Sequence, residues 1–88
     1  MVEKTKKHFT VYVKSKCPFC VKAREALWEK GVDHTIHIMD NNSEGLDNLK
    51  EFYEHPTVPI IFLEKSGREK LIGGYTDLKA YFEQESDD

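Results

Sequence analysis

Cys17 and Cys20 are the only cysteines in this 88-residue chain, and two residues separate them. Thiols at this spacing can exchange disulfides with a partner molecule or supply half of a zinc site. In a reducing compartment a cysteine pair seldom serves as a structural crosslink, and a loop this short would stabilise the fold little. The pair therefore predicts redox or metal chemistry.

The surroundings of Cys17 favour its thiolate, which is the form that attacks a disulfide. Cys17 falls where a strand pattern gives way to a helix pattern, so the free N–H groups and positive dipole end of a helix should lie beside it. Lys14 and Lys16 add positive charge, and Pro18 suits the first helical turn. We assign Cys17 as the nucleophile and Cys20, one turn further on, as the resolving thiol.

A zinc site is the alternative, because His34 and His37 follow the two cysteines at a spacing that resembles a two-Cys, two-His finger. The histidine spacing is shorter than usual, and positions 34 and 37 of a strand point to opposite faces. We therefore expect no metal. The four histidines are interpreted as surface or strand residues: His8, His34, His37 and His55.

The first half of the chain predicts a strand, a helix and a second strand. Residues 8–14 are rich in β-branched and aromatic side chains. Apolar residues then recur at helical spacing until the stop signal at Gly31: Phe19, Ala23, Ala26 and Leu27. Residues 32–39 predict the second strand, with Ile36 and Ile38 on one face.

The second half predicts a helix, two strands and a last helix. Residues 41–43 supply a turn and an N-cap, and 55–56 end the second helix. Residues 60–63 form an apolar strand, a shorter strand ends at 71–72, and Thr76 is expected to cap the last helix. The buried faces of the two helices are expected to contain Leu46, Leu49 and Tyr53, and Leu78, Tyr81 and Phe82.

The predicted order is β-α-β-α-β-β-α. The first β-α-β unit should give two parallel strands, and the later hairpin makes the four-stranded sheet mixed. Helices on both faces would cover its apolar strands. The pattern predicts an α/β chain with the thioredoxin-like fold.

Composition indicates a single globular domain over residues 1–88, with 1–7 and 84–88 loosely ordered. Hydrophobic residues make up 39% of the chain, charged residues 33%, and the net charge is −3. A nucleic-acid-binding protein is usually basic, so we expect none as a partner. No apolar run is long enough to span a membrane, and no signal-peptide pattern is present, so we expect a cytoplasmic protein.

Three separated motifs give the chain a resemblance to the glutaredoxins that extends from His8 to Phe82. The motifs are Lys14-Ser15-Lys16-Cys17-Pro18-Phe19-Cys20, Thr57-Val58-Pro59 and Gly73-Gly74-Tyr75-Thr76-Asp77-Leu78. The first is similar to the active site of dithiol glutaredoxins. The resemblance implies an enzyme that uses glutathione as a co-substrate and needs no tightly bound cofactor.

The resemblance also implies a glutathione-binding site. Pro59 would follow a cis peptide bond, and the backbone at Thr57 and Val58 would pair with the cysteine part of glutathione as an added strand does. The start of the last helix, at Thr76 and Asp77, would bind the γ-glutamyl end.

At the other end of glutathione, Lys14 would face the glycyl carboxylate, and Gly74 would let the backbone approach the ligand closely. Two residues depart from the family pattern. Phe19 stands where many members have Tyr, and His55-Pro56 precedes Thr57 where a basic residue is common.

The resulting hypothesis is a monomeric, glutathione-dependent thiol–disulfide oxidoreductase. It would reduce protein disulfides and protein–glutathione mixed disulfides, with ribonucleotide reductase as an acceptor suggested by resemblance alone. The alternatives are a redoxin recharged by thioredoxin reductase and an iron–sulfur glutaredoxin. The acidic residue Asp77 favours glutathione over the first, and Pro18 and Cys20 favour redox chemistry over the second.

Overall fold

Seven elements make up the part of the chain that the computed structural model describes, residues 7–84. They are β1 (Lys7–Val13), α1 (Pro18–Lys30), β2 (Asp33–Ile38), α2 (Ser43–Phe52), β3 (Ile60–Lys65), β4 (Arg68–Gly73) and α3 (Tyr75–Gln84). This order is the predicted one. Most of the segments expected to be loosely ordered, 1–7 and 84–88, lies outside the described residues; Lys7 begins β1 and Gln84 ends α3.

The four strands form one mixed sheet in the order β2-β1-β3-β4. β1 pairs with β2 in parallel, as expected for a β-α-β crossover. β3 is antiparallel to both β1 and β4. β1 and β3 are therefore the central strands, and the loop that leaves β1 toward α1 starts from the middle of the sheet.

Apolar side chains fill both faces of this sheet. The α1–α3 core contains ten buried residues: Phe9, Val11, Val13, Cys20, Ala23, Leu27, Ile61, Leu63, Leu78 and Phe82. The α2 core on the opposite face contains Met39, Leu46, Ile60 and Phe62, with Leu49 and Tyr53 packed against it. Helices thus cover both faces of the sheet, which confirms the predicted thioredoxin-like fold.

Two helix boundaries follow from local signals in the sequence. Pro18 occupies the first turn of α1, and Gly31 ends the helix with a left-handed φ of 69°. This conformation is one that glycine adopts at little cost. Asn42 caps α2, because its side-chain oxygen accepts a hydrogen bond from Gly45 N at 3.0 Å.

One local prediction was wrong. Thr76 does not cap α3, because the helix already begins at Tyr75 and Thr76 is its second residue. Ile36 and Ile38 lie two residues apart in β2, on one face of the strand, but Ile38 is 53% exposed and Met39, just past the strand, is buried. β2 is an edge strand, so its end is only partly covered. None of the helices within residues 7–84 is long and apolar enough to cross a membrane.

Candidate active site

Cys17 ends the loop between β1 and α1 and is the N-cap residue of α1. Its Sγ accepts a hydrogen bond from Cys20 N at 3.3 Å, so the sulfur lies at the positive end of the helix. The side chain is half-buried and both cysteines are free thiols. The sulfur therefore lies at the positive end of α1 and is open to a reaction partner.

Cys20 lies one turn into the helix and is 1% exposed. Burial, together with its hydrogen bond to Cys17, raises the pKa of the Cys20 thiol to about 12. A buried, protonated thiol cannot begin an attack on a dissolved disulfide. The structure thus brings the two predicted cysteines together and gives them the unequal surroundings that their assigned roles require.

The loop before Cys17 is fastened to the far end of β2. Asp40 Oδ1 accepts a hydrogen bond from Ser15 N at 2.9 Å, and Asp40 Oδ2 accepts one from Ser15 Oγ. These hydrogen bonds hold the pKa of Asp40 below its ordinary value, and Lys14 and Lys16 act in the same direction. With Cys17 and Val58, these residues line a cavity of about 410 Å³.

The peptide bond between Val58 and Pro59 is cis, as the resemblance predicted. Cys17 Sγ lies 3.8 Å from the Val58 carbonyl oxygen, which is placed to accept a hydrogen bond from the thiol. The backbone next to the cis bond is therefore beside the nucleophile. Val58 is half-buried and Pro59 is buried.

A second cavity of about 260 Å³ continues from Val58 to the start of α3. Its lining contains predicted residues from two motifs: Thr57, Val58, Pro59, Gly74, Thr76 and Asp77. At its far end, Asp77 Oδ2 accepts a hydrogen bond from Gly74 N at 2.9 Å. Because both cavities share Val58, they meet beside Cys17, with Lys14 at one end and Asp77 at the other.

Gly73, and not Gly74, is the glycine that the backbone requires. Its φ is +123°, and a Cβ on this residue would collide with the Asp77 carboxylate. A Cβ on Gly74 would make only ordinary contacts, 3.7 Å from both His55 Nε2 and Pro59 O. The close approach of the backbone to a ligand at Gly74 stays a prediction.

Sequence reasoning assigned no role in the site to four residues that the structure places there. His55, expected to be an ordinary surface or strand residue, lines the second cavity, and its buried Nε2 has no hydrogen-bond partner among the residues that the structure describes. Phe19 and Tyr75 stack with ring centroids 6.2 Å apart beside the same cavity. Asp40 carried no signal apart from its place after a predicted strand.

The alternative zinc ligands occupy other places. His34 Nδ1 lies 2.8 Å from the backbone oxygen of Val32, two residues earlier, and the His37 ring stacks on Tyr12. Within residues 7–84, no group of three or more His, Cys, Asp or Glu side chains is arranged to hold a metal ion.

Comparisons with known proteins agree with this geometry. The glutaredoxin family profile matches residues 9–67. Glutaredoxin-1 of Rhizophagus irregularis is 40% identical over 73 residues, covering 80% of this chain and 68% of that protein. Glutaredoxin 1 of Escherichia coli K12 is 32% identical over 84 residues, covering 88% and 94% of the two chains.

A solved structure extends the likeness to three dimensions. The dithiolic glutaredoxin 2-C-Grx1 from Trypanosoma brucei brucei has a TM-score of 0.71 at 35% identity, covering 86% of this chain and 77% of that one. The profile match alone covers well over half of the chain. This chain is therefore a dithiol member of the glutaredoxins, and so a thiol–disulfide oxidoreductase with a Cys17–Cys20 pair.

Proposed function

We propose that this glutaredoxin draws its electrons from glutathione. The observation that carries the proposal is the pair of cavities that meet at Val58, beside Cys17. Glutathione is an extended tripeptide with a carboxylate at each end and a thiol between them. Lys14 offers a cation to the glycyl carboxylate, while the start of α3 offers N–H groups to the γ-glutamyl carboxylate.

The first branch of the mechanism removes glutathione from a protein. Cys17 thiolate attacks the glutathione sulfur of a mixed disulfide, and the protein thiolate leaves and takes up a proton. A second glutathione thiolate attacks the glutathione sulfur of the Cys17–glutathione disulfide. Oxidised glutathione leaves and Cys17 returns as a thiolate. In the net exchange one free glutathione is consumed, its sulfur is oxidised, and the protein sulfur is reduced to a thiol.

The second branch reduces a disulfide within a protein. Cys17 forms a mixed disulfide with one substrate sulfur, and the other leaves as a thiolate. The Cys20 sulfur then attacks Cys17 Sγ and breaks the mixed disulfide, and the proton of Cys20 passes to the departing substrate thiolate. The second substrate sulfur leaves as a thiol and a Cys17–Cys20 disulfide remains. Two glutathiones reduce that disulfide. Cys20 is 1% exposed, so a dissolved disulfide has little access to it, whereas Cys17 Sγ lies one helical turn away.

One coupled assay tests the source of electrons. Reduction of a disulfide substrate is followed by NADPH consumption, either with glutathione and glutathione reductase or with thioredoxin reductase alone. We expect turnover with the glutathione couple. Turnover with thioredoxin reductase and none with glutathione would contradict the proposal and support the redoxin alternative.

The two branches separate in the variant Cys20→Ser, which keeps the nucleophile and removes the resolving thiol. Removal of glutathione from a glutathionylated peptide should continue, while reduction of an intramolecular disulfide should fall at least about tenfold, because the mixed disulfide is no longer resolved from within. Cys17→Ser should lose both activities. If Cys20→Ser lost both as well, the one-thiol branch would be wrong.

The proposal extends to the setting in which the protein acts. Both branches need free thiols at rest, which favours a reducing compartment such as the cytoplasm. A monomer is the proposed state of the protein. An enzyme that forms a disulfide within itself during turnover, such as ribonucleotide reductase, is the kind of acceptor that the second branch would reduce.

A further inference from the structure

Asp40 fastens the segment that carries the nucleophile, although it lies 23 residues beyond Cys17 in the sequence. Its carboxylate accepts two hydrogen bonds from Ser15, one from the backbone N–H at 2.9 Å and one from the hydroxyl. Asp40 is itself held in place, because the preceding residue Met39 is buried and its N–H donates to Val13 O at 2.8 Å. The end of β2 is therefore a fixed support for the loop between β1 and α1.

The same carboxylate brings negative charge into the cavity beside Cys17. It lines this cavity with Lys14 and Lys16, and those two lysines help to keep it ionised. A ligand carboxylate that binds near Lys14 meets a cation whose field is partly cancelled by Asp40. The thiolate of Cys17 meets the same reduced field.

We propose that Asp40 is a positioning residue that holds Lys14 and Cys17 in place and also limits how strongly this end of the site attracts glutathione. The inference rests on the proposed use of glutathione. The two effects oppose each other: the hydrogen bonds organise the binding surface, and the charge weakens its affinity for an anion. Separate substitutions can resolve them.

Asp40→Asn isolates the charge, because an amide oxygen still accepts from Ser15 N and the amide N–H can donate to Ser15 Oγ. The KM for glutathione should fall about two- to fivefold at low salt, the size expected for a solvent-screened charge pair, and kcat should change less. The fall should shrink as ionic strength rises. Alkylation of Cys17 should also reach its half-maximal rate at a lower pH.

The pH profile of Cys17 alkylation has several electrostatic contributors. Lys14 and Lys16 face the thiol from its own loop, Cys20 and the free N–H groups face it from α1, and Asp40 faces it from the end of β2. His55 and Asp77 line the adjoining cavity, beyond Val58. Only the Asp40 contribution differs between wild type and Asp40→Asn, so the shift in the profile reports that charge.

Asp40→Ala removes the charge and both hydrogen bonds. Compared with Asp40→Asn, it should raise the KM for glutathione about fivefold or more, because two hydrogen bonds that order the loop are lost. Slow alkylation of buried Cys20 and an unchanged circular dichroism spectrum would show that this variant still folds. Glu29→Gln is the matched control for Asp40→Asn, because it also replaces a carboxylate with an amide but does so near the other end of α1.

Two results would overturn the inference. A KM and alkylation profile in Asp40→Asn that match those of Glu29→Gln would remove the electrostatic role, and equal kinetics in Asp40→Asn and Asp40→Ala would remove the positioning role. Failure of the proposed function has a different signature, since wild-type protein would then not turn over with glutathione. Cys17 alkylation would still test the charge of Asp40 in that case.

Discussion

Cys20 lies one turn into α1 among the side chains of the α1–α3 core, whereas Cys17 keeps part of its surface in solvent. The two sulfurs have different surroundings. Cys17 Sγ accepts a hydrogen bond from Cys20 N at the helix end, and burial suppresses ionisation of Cys20. From where each sulfur lies, we expect Cys17 to react first and Cys20 second.

This difference predicts unequal alkylation. At pH 6–8, iodoacetamide should modify Cys17 much faster than Cys20, because the pKa of Cys20 is raised to about 12 and its thiol stays protonated and buried over that range. Peptide mass mapping of briefly treated, reduced protein measures both rates. Equal labelling of the two cysteines in folded protein would contradict the assignment, and labelling in denaturant provides the control.

Asp77 has two candidate roles, since its carboxylate already accepts a hydrogen bond from Gly74 N at 2.9 Å. Asp77→Asn preserves an acceptor for that N–H but removes the charge proposed to hold the ammonium of glutathione. We expect a small stability loss, about 0.3–1 kcal/mol from the helix dipole.

The kinetic effect should be larger: roughly a tenfold loss in apparent glutathione affinity, since a charge-assisted hydrogen bond contributes about 1.5–3 kcal/mol. Steady-state kinetics with varied glutathione and a thermal melt separate the two roles. Unaltered kinetics with a slightly lower Tm would leave Asp77 as a helix-end residue only.

Among the secondary-structure elements, the junction of β4 and α3 determines where the second cavity ends. β4 ends at Gly73, whose φ of +123° turns the chain, and α3 begins two residues later at Tyr75. The Asp77 side chain occupies the space that a Cβ on Gly73 would need. The turn and the cap of α3 thus depend on each other.

The two adjacent glycines therefore predict different tolerances. Gly73→Ala should lower the free energy of unfolding by at least about 1–3 kcal/mol, because it combines a strained backbone with a collision at Asp77. Gly74→Ala should remain within about 1 kcal/mol of wild type, since its Cβ would make ordinary contacts. Urea denaturation of both variants makes the comparison, and equal losses would contradict it.

Prediction from sequence succeeded for elements whose signals are local. Pro18 and Gly31 delimit α1, and the apolar run from Ile60 predicts a buried β3. The start of α3 was misplaced at Thr76, because Asp77 reaches back to Gly74 and supplies the capping interaction instead. The exposure of Ile38 could not be predicted, because alternation along a strand says nothing of the strand's position at a sheet edge.

The candidate site shows the same division. Cys17, Cys20 and the cis bond before Pro59 could be predicted, because short motifs contain them. The positions of His55 and Asp40 could not, since each reaches the site through the packing of distant elements. Contacts between residues 25 apart, such as Ser15 with Asp40, leave no local pattern.

At the scale of the whole molecule, the sheet separates two apolar cores, and no buried residue within the described range 7–84 belongs to both. Ile60 and Ile61 are consecutive residues of β3, yet they belong to the α2 core and the α1–α3 core respectively. The active-site residue Cys20 belongs to the α1–α3 core alone. Half-buried Val58, beside Cys17, packs against both cores, so it is changes in the α2 core away from Val58 that should affect stability more than chemistry.

This separation predicts additive stability losses. Ile61→Val should cost about 0.5–1.5 kcal/mol and Leu46→Ala about 2–5 kcal/mol. The double variant should equal their sum within about 0.5 kcal/mol, because the two residues lie in different layers. Chemical denaturation measures all three. The pair Ile61→Val and Leu27→Ala, within one core, is the comparison, and coupling as strong across the sheet as within that core would contradict the prediction.

The hydrogen bond from Cys20 N to Cys17 Sγ has a consequence for the redox equilibrium of the folded protein. A thiolate at the N-cap accepts this bond and faces the helix dipole, whereas a disulfide sulfur carries no charge for the helix to stabilise. This interaction therefore stabilises the reduced form more than the oxidised form. By linkage, the same interaction makes the reduction potential of the Cys17–Cys20 couple less negative and renders the oxidised protein easier to unfold.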